Sequence, residues 1–290
     1  MKVDLRIQES GKREEVFPLL AKCFPEYWAP RVASGDAHFS FPVISVIAEC
    51  NGIVTGHCGI SIFEFHLGGE LQKAAGLCAV AVDPDCRGMG IAGKMCDHVL
   101  EYCRAKQIFF SPLYTGVPKV YEKRGWQLYK LSAPKKLSVT NNNSLSLYKN
   151  ELNEQQQNDI RKLYSTGFVF DGKVKRSEIS WNALFANKNS LWCLTENAYA
   201  LVIKDEDNYI LCEAYAQNEC WNELLTDGLL LSLPSTHPLL TSHDLKDSPI
   251  DIWHEEVAMI NIINAKPAEQ AGLTKAIEQS TFFFPLPDKF

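Results

Sequence analysis

The spacing of apolar and polar residues along the first half of the chain predicts strands and helices in alternation. An amphipathic pattern predicts a helix from about Lys12 to Cys23, ended by Pro25. Strand-like patterns follow in Val43–Glu49 and in Ile53–Leu67. The two strands are joined by Asn51-Gly52. Because Asn-Gly tolerates positive φ, this arrangement predicts a β-hairpin.

A run that is apolar at every position, Leu77–Val82, predicts a central strand that is buried on both faces. Asp83-Pro84 ends this strand, and a helix is predicted from about Gly90 to Lys106. A strand at Ile108–Ser111 and a short helix around Pro118–Arg124 come next. The order of elements is that of an α/β fold with a mixed sheet.

The strand before this run contains a change of alternation. Its apolar positions are Cys58, Ile60 and Ile62 and then Phe63 and Phe65, so their parity changes. A bulge or sharp twist near Ile62-Phe63 is therefore predicted.

The polar, turn-prone tract of residues 138–146 predicts a linker between a first domain, residues 1–137, and a second domain, residues 147–290. The elements of the second domain loosely echo the order of the first. They are helices at Glu154–Ser165 and Glu178–Asn187, a hairpin of Leu191–Lys204 with Tyr209–Ala216, a helix at Trp221–Leu233, a strand at Val257–Ile263, a helix at Pro267–Gln279 and an apolar tail at 282–290.

Composition narrows the possible functions. The formal net charge is −6, from 35 acidic and 29 basic residues, which disfavours binding to nucleic acids or anionic membranes and suits a cationic substrate. No segment approaches the roughly 18 apolar residues of a membrane span. The ten cysteines form no CxxC and no Cys/His zinc spacing. We therefore expect reduced thiols, no metal site and a cytoplasmic location.

The segment after the buried strand is the most informative part of the chain. Small residues at Gly88, Gly90 and Ala92 open the predicted helix, so a ligand can approach the backbone closely. The free N–H groups of a first helical turn, together with the helix dipole, form an anion site that fits a pyrophosphate. Arg87 can add a charge-assisted contact or organise the turn.

Two other phosphate-binding motifs fit this segment less well. A P-loop requires Gly-Lys-Ser/Thr, whereas Gly93-Lys94-Met95 lacks the magnesium-binding hydroxyl. A dinucleotide fingerprint matches the glycine spacing, but the region near Ile108–Ser111 has no acidic residue to bind a ribose. The glycine spacing alone is equally compatible with an ordinary strand–turn–helix junction.

The stretch Arg87–Ala92 matches Arg/Gln-x-x-Gly-x-Gly/Ala, the signature of GNAT acetyltransferases, and the chain resembles that family over about residues 1–135. The preceding hairpin, the Val-Asp-Pro strand end and the segment Tyr114–Trp126 agree in order. The resemblance implies a GNAT fold and acetyl-CoA as cofactor. It also implies that the main chain of Ala79, Val80, Ala81 and Val82 pairs with the pantetheine arm, and that Arg87, Gly88, Met89, Gly90, Ile91 and Ala92 hold the pyrophosphate.

The resemblance also places Tyr121 near the thioester sulfur. An alkylamine acceptor has a pKa of roughly 10, so a base must remove its proton before it attacks. The leaving thiolate benefits from an acid, and we expect Tyr121 to be that acid. The buried strand carries no glutamate, so Glu64, His57 and His66 on the preceding strand are the candidate bases.

The two-domain order is similar to that of the enhanced-intracellular-survival type of tandem GNAT protein. In that type a cofactor-binding domain precedes a degenerate one and a sterol-carrier-like domain. Here the second domain has no Arg-x-x-Gly-x-Gly/Ala match, and about fifty residues follow Leu239, too few for a third domain. The type also brings its terminal carboxylate into the first domain's site, so the resemblance implies Phe290 as a further catalytic candidate.

We therefore expect an N-acetyltransferase that transfers an acetyl group from acetyl-CoA to a primary amine by direct attack. The alternative is a non-catalytic acyl-CoA-binding regulatory or scaffolding protein. The acceptor is a small molecule or a peptide; an aminoglycoside-like polyamine, an amino acid, a peptide N-terminus and a protein lysine all stay open, as does the oligomeric state.

Overall fold

The computed structural model describes residues 2–10, 13–39, 41–129, 135–137, 148–217, 221–227, 229–234, 237–242, 245–247, 257–264 and 274. The described helices are α1 (Phe17–Cys23), α2 (Pro25–Ala33), α3 (Ile91–Ala105), α4 (Lys119–Glu122), α5 (Glu154–Thr166), α6 (Glu178–Ala186) and α7 (Pro238–Ser242). The described strands are β1 (Asp4–Gln8), β2 (Ile44–Cys50), β3 (Ile53–Leu67), β4 (Glu70–Val82), β5 (Phe110–Thr115), β6 (Gln127–Tyr129), β7 (Lys135–Leu137), β8 (Val174–Lys175), β9 (Ser190–Leu194), β10 (Ala198–Asp205), β11 (Asn208–Ala216), β12 (Leu230–Leu231), β13 (Leu245–Asp247) and β14 (Val257–Ile262).

The first sheet is mixed and runs in the order β1-β2-β3-β4-β5-β14-β6, with β8 paired to β3. Strands β2 to β4 form an antiparallel meander, and β4 and β5 are parallel. Helix α3 covers one face, where Ile60, Met95 and Val99 are fully buried. Helices α1 and α2 pack on the other face around Trp28 and Ile47. The α/β class with a mixed sheet is confirmed.

The predicted hairpin and the predicted helix after the glycine turn are both present. Asn51 and Gly52 have φ values of 54° and 76°, as an Asn-Gly turn requires, and α3 spans Ile91–Ala105. The first predicted helix ends at Cys23, before Pro25, as expected. Pro25 then begins a second helix, α2, which was not predicted, because a proline at the first helical position loses no hydrogen bond.

The prediction of a bulge at Ile62-Phe63 is wrong. The β3–β4 register is unbroken there, and the parity changes because different faces of the long strand are covered along its length. Cys58 and Ile60 lie under α3, whereas Phe65 packs on the opposite face against Phe110 and Ile62 is exposed. An irregularity does occur in this pair, but between His57 and Gly59.

The second sheet is also mixed and runs in the order β13-β7-β12-β11-β10-β9. The segment Leu191–Lys204, predicted as one strand, forms the two antiparallel strands β9 and β10. A tight turn separates them, in which the Thr195 amide donates to the Ala198 carbonyl at 2.8 Å. Both strands are apolar and only one short polar turn separates them. The hydrophobic pattern therefore did not show that the segment contains two strands and not one.

The helix predicted over Trp221–Leu233 is not formed. Its described residues form a short 3-10 helix at Trp221–Glu223 and then β12, which pairs parallel to β11. In the second unit, helices α5 and α6 precede the antiparallel meander of β9, β10 and β11. In the first, α1 and α2 precede the meander of β2, β3 and β4. The long helix that joins β4 to β5 thus has no counterpart among the described residues between β11 and β12. In the described part of the second unit, the order of elements is therefore GNAT-like, but no α-helix begins between the third strand of the meander and β12 to offer an N-terminus to phosphate.

The two sheets exchange one strand each. β14, near the end of the chain, lies between β5 and β6 of the first sheet, with Met259 fully buried. Reciprocally, β7 lies between β12 and β13 of the second sheet. From the sequence, β14 was expected in the second domain and β7 in the first, because the local sequence of a strand does not specify which sheet it joins. The expected linker, residues 138–146, lies outside the described residues.

Within the described part of the chain, no helix is long and apolar enough to cross a membrane.

Candidate active site

A cleft opens where β4 and β5 separate. The two parallel strands pair at a single register position, Ala74 with Phe110, and Ser111 Oγ donates to the Ala75 carbonyl at 2.7 Å. Beyond this point β4 keeps its pairing with β3 but leaves β5. Val80, Ala81 and Val82 then line a cleft of about 680 Å³. Main chain at a widening strand pair can bind an extended ligand in place of a strand.

The direction of this part of β4 is set by a β-bulge. His57 pairs with Ala81 and Gly59 with Cys78, so β4 contains one residue more than β3 in this interval. Ala79 in the bulge has φ of 46°, which is uncommon for a residue other than glycine. Its carbonyl accepts a hydrogen bond from the His57 side chain at 2.8 Å.

The turn that follows β4 is fixed by local polar contacts. The Asp83 carboxylate accepts from the Asp85 amide at 3.0 Å, and Lys22 of α1 bridges both carboxylates at 2.7 and 3.0 Å. The Lys22 hydrogen bond, followed by the bond from Asp85, lowers the pKa of Asp83. The turn is therefore held in place from one side by α1.

Gly88 and Gly90 give the turn its shape. Their φ values are 79° and 75°, in the left-handed region that favours glycine, and a Cβ added at either would meet nothing within 4 Å. Gly90 is the N-cap of α3 and offers no side chain to accept from the first-turn N–H groups. Open space beside the first-turn N–H groups of a fifteen-residue helix is the geometry that favours binding of a phosphate.

The cleft is cationic. Its lining residues, all within the described part of the chain, include four cations and no carboxylate, although the whole chain carries a net charge of −6. The four are Arg87, Lys119, Lys123 and Arg124.

Arg124 is held at the cleft by helix α3. Its Nε donates to the Gly93 carbonyl at 2.7 Å and forms an ion pair with Asp97 at 3.0 Å. A Cβ on residue 93 would lie 2.0 Å from the Arg124 guanidinium, so Gly93 makes room for this side chain. Sequence analysis treated Gly93 only as part of a glycine spacing and missed Arg124 and the two lysines, because their convergence depends on the tertiary structure.

Tyr121 reaches the cleft from α4. Its ring packs edge-to-face on Trp126, with centroids 6.1 Å apart, and the indole Nε1 donates to the Ser111 carbonyl at 2.9 Å. Tyr121 is only 5% exposed, and burial raises the pKa of its hydroxyl well above 10. The nearby thiols of Cys58 and Cys96 add to this rise in pKa, and a hydrogen bond with the Thr115 side chain opposes it. The hydroxyl therefore keeps its proton at neutral pH.

The structure brings together most of the residues expected to bind cofactor. Val80 to Val82, Arg87, Gly88 and Gly90 to Ala92 all line the cleft. Ala79 and Met89 do not line it: Ala79 faces His57, and Met89 is 42% exposed.

The candidate bases lie elsewhere. Glu64 forms an ion pair with Lys175 of β8 at 2.9 Å and is not among the residues that line the cleft. His57 is fully buried, and burial lowers its pKa to about 4. Burial also lowers the pKa of His66, which lies on the same strand near Lys173. Phe290 lies outside the described residues.

Comparisons with known proteins agree with this geometry. A family model described as an acetyltransferase (GNAT) domain matches residues 4–129. A comparison with curated proteins gives no match. Three solved structures each match 90% of this chain: a GCN5-related N-acetyltransferase from Kribbella flavida (16% identity, TM-score 0.64, 72% of that chain), another from Anabaena variabilis (15%, 0.65, 73%) and Eis1 from Mycobacterium abscessus (14%, 0.62, 74%).

At these identities the solved structures establish the fold and not the reaction. They span both sheets, so the likeness includes the second unit and is not confined to the matched domain. Residues 4–129 are therefore similar to a GNAT acetyltransferase domain, and the fold of the chain as a whole is similar to that of these larger GCN5-related proteins and of Eis1.

Proposed function

We propose that the protein is an acetyl-CoA-dependent N-acetyltransferase that acts on a primary amine. The observation that carries the proposal is the cationic cleft, in which open β4 main chain, a glycine cradle at the start of α3 and a buried tyrosine lie along one surface. Coenzyme A needs all three features: a partner for an extended pantetheine arm, a site for phosphates and a group near its sulfur.

The residues present fit this cofactor. Arg87 and the first turn of α3 would hold the pyrophosphate, and Val80 to Val82 would lie along the pantetheine arm. Lys119, Lys123 and Arg124 add positive charge to the lining of the same cleft. Acetyl-CoA, when bound, supplies an acetyl group activated as a thioester.

Tyr121 is the proposed general acid. As the amine nitrogen bonds to the acetyl carbon and the carbon–sulfur bond breaks, the sulfur needs a proton to leave as a thiol. The Tyr121 hydroxyl is protonated at neutral pH, since burial raises its pKa, and it can give its proton to the sulfur only as negative charge develops there. The edge-to-face contact of its ring with Trp126 holds the hydroxyl in one direction.

Two groups are proposed as the base that removes the proton of the amine. The terminal carboxylate of Phe290 is the first, by the resemblance to tandem GNAT proteins. Glu64 is the second, although it would have to leave its ion pair with Lys175. Deleting the last three residues should abolish turnover and leave CoA affinity intact if Phe290 is the base, whereas Glu64→Gln should do so if Glu64 is.

The acceptor is proposed to be a cationic small molecule or peptide, in keeping with the acidic chain. We also propose a cytoplasmic location; the cysteines in the described part of the chain form no disulfide, which suits it.

Release of CoA thiol from acetyl-CoA, measured across a panel of polyamines, amino acids, peptides and lysine-containing proteins, tests the proposal. We expect release that depends on one class of amine. Tyr121→Phe should lower kcat about 100-fold or more with little change in CoA affinity. Binding of CoA without amine-dependent thiol release would favour an acyl-CoA-binding regulatory protein, and a Tyr121→Phe rate near that of the wild type would remove Tyr121 as the acid.

A further inference from the structure

His57 occupies an unusual position for a histidine. It lies on β3 with no exposed surface, between Ser45 of β2 and Ala79 of β4. Nδ1 is 2.8 Å from the Ala79 carbonyl oxygen and Nε2 is 3.0 Å from Ser45 Oγ. A carbonyl oxygen can only accept, so Nδ1 carries the ring hydrogen and donates it to Ala79. Nε2 is then an acceptor, and the Ser45 hydroxyl donates to it.

The ring is also fixed in its plane. Phe39 stacks on the imidazole, with centroids 5.7 Å apart and planes inclined by 19°. The arrangement thus specifies both the tautomer and the orientation of His57. Such a defined environment indicates that the hydrogen bond to Ala79 has one geometry.

The group that His57 holds is the irregular part of β4. Ala79 is the residue with positive φ in the bulge, a conformation that an alanine adopts only when the surroundings impose it. The residues directly after it, Val80 to Val82, line the cleft. The direction of their main chain therefore depends on a bulge that the His57 side chain holds in place.

We propose that His57 is a positioning residue for the cofactor: its Nδ1–H holds the Ala79 carbonyl, with Ser45 fixing the tautomer, and so turns Val80 to Val82 toward the cleft. The inference rests on the proposed function, because it takes CoA as the ligand of that cleft. His57 acts through Ala79 and not as a base, since its two nitrogens are both engaged.

Substitution of His57 by asparagine or by glutamine tests the contributions of the two ring nitrogens separately. Asparagine places its side-chain N–H near the position of Nδ1, whereas glutamine places its own near Nε2. Calorimetric titration with CoA should give His57→Asn an affinity within about twofold of the wild type and His57→Gln an affinity about tenfold weaker, as expected for loss of one hydrogen bond.

His237 provides a matched control. It too is buried, with Nε2 bonded to the Ala214 carbonyl at 2.9 Å, but it lies in the second unit. His237→Gln and His237→Asn should therefore leave CoA affinity unchanged at temperatures where the variants are folded. Weaker CoA binding by these variants, equal to that of His57→Gln, would show a general effect of destabilisation and would overturn the proposal.

The titrations distinguish a failure of the proposed function from a failure of the proposed role of His57. If the wild type does not bind CoA, the proposed function fails and the role of His57 fails with it. If the wild type binds and the two His57 variants bind equally, only the role of His57 is refuted. Ser45→Ala removes one hydroxyl and tests the role of His57 even if an amide variant does not fold. CoA affinity should fall about threefold. An unchanged affinity overturns the proposal.

Discussion

Acidification should destabilise the protein through two buried histidines, His57 in the first unit and His237 in the second. Burial lowers the pKa of each from 6.5 to about 4; the hydrogen bonds to Ala79 and Ala214 oppose this effect, and the charge of Arg13 adds to it at His57. The unfolded chain binds a proton at each imidazole below pH 6.5, while the folded chain binds none until about pH 4. Stability is therefore complete above pH 6.5 and falls as the pH decreases towards 4.

The size of the effect follows from the same two pKa values. Between pH 7.5 and pH 5.0, linkage gives a loss of about 2 kcal/mol for each histidine, or about 4 kcal/mol for both if the sites are independent. That is a large part of the roughly 5–15 kcal/mol by which a typical protein is stable.

Urea unfolding at the two pH values measures this loss. The wild type should lose about 4 kcal/mol, and His57→Asn and His237→Asn should each lose about 2 kcal/mol less between the same pH values. Carboxylates contribute equally in all the proteins, and His38→Asn, at an exposed site, should behave as the wild type. The reasoning is refuted if His57→Asn and His237→Asn show the same pH dependence as the wild type.

Three further perturbations test the packing of the fold. In Gly56→Ala the new Cβ would lie 2.9 Å from Ile91 at the start of α3, so urea unfolding should show a loss of about 1–3 kcal/mol, and the KM for acetyl-CoA should rise. Glu213→Leu leaves Arg176 buried without its ion-pair partner and should cost about 3–5 kcal/mol in the same assay, with CoA affinity unchanged. A chain of residues 1–146 lacks β14 and should be insoluble or molten by near-UV circular dichroism; a cooperative unfolding transition would contradict the strand exchange.

Much of the first unit could be predicted from the sequence because its signals are local. The Asn51-Gly52 turn, the apolar strand ending at Asp83-Pro84 and the glycines before α3 each determine the conformation of adjacent residues. The glycine turn also predicted open space at the start of α3, since positive φ and absent side chains are properties of the residue type.

The parts that could not be predicted depend on contacts between distant residues. Nothing in the composition of β14 indicates that it pairs with β5, and nothing local to Arg124 indicates that Gly93 lies beneath it. Glu64 was a reasonable candidate base on its strand, but Lys175, 111 positions later, pairs with it. His57 was considered as a base because histidine titrates near neutrality, and burial removes that property.

In the proposed complex, CoA binds along the cleft with its sulfur at Tyr121. A crystal structure of the protein with CoA is the decisive test. We expect the pantetheine arm beside Val80 to Val82, the pyrophosphate at Gly88 to Ala92 and the sulfur within hydrogen-bonding distance of the Tyr121 hydroxyl. CoA bound at any other surface, or bound in the cleft with its sulfur directed away from Tyr121, would contradict this proposal.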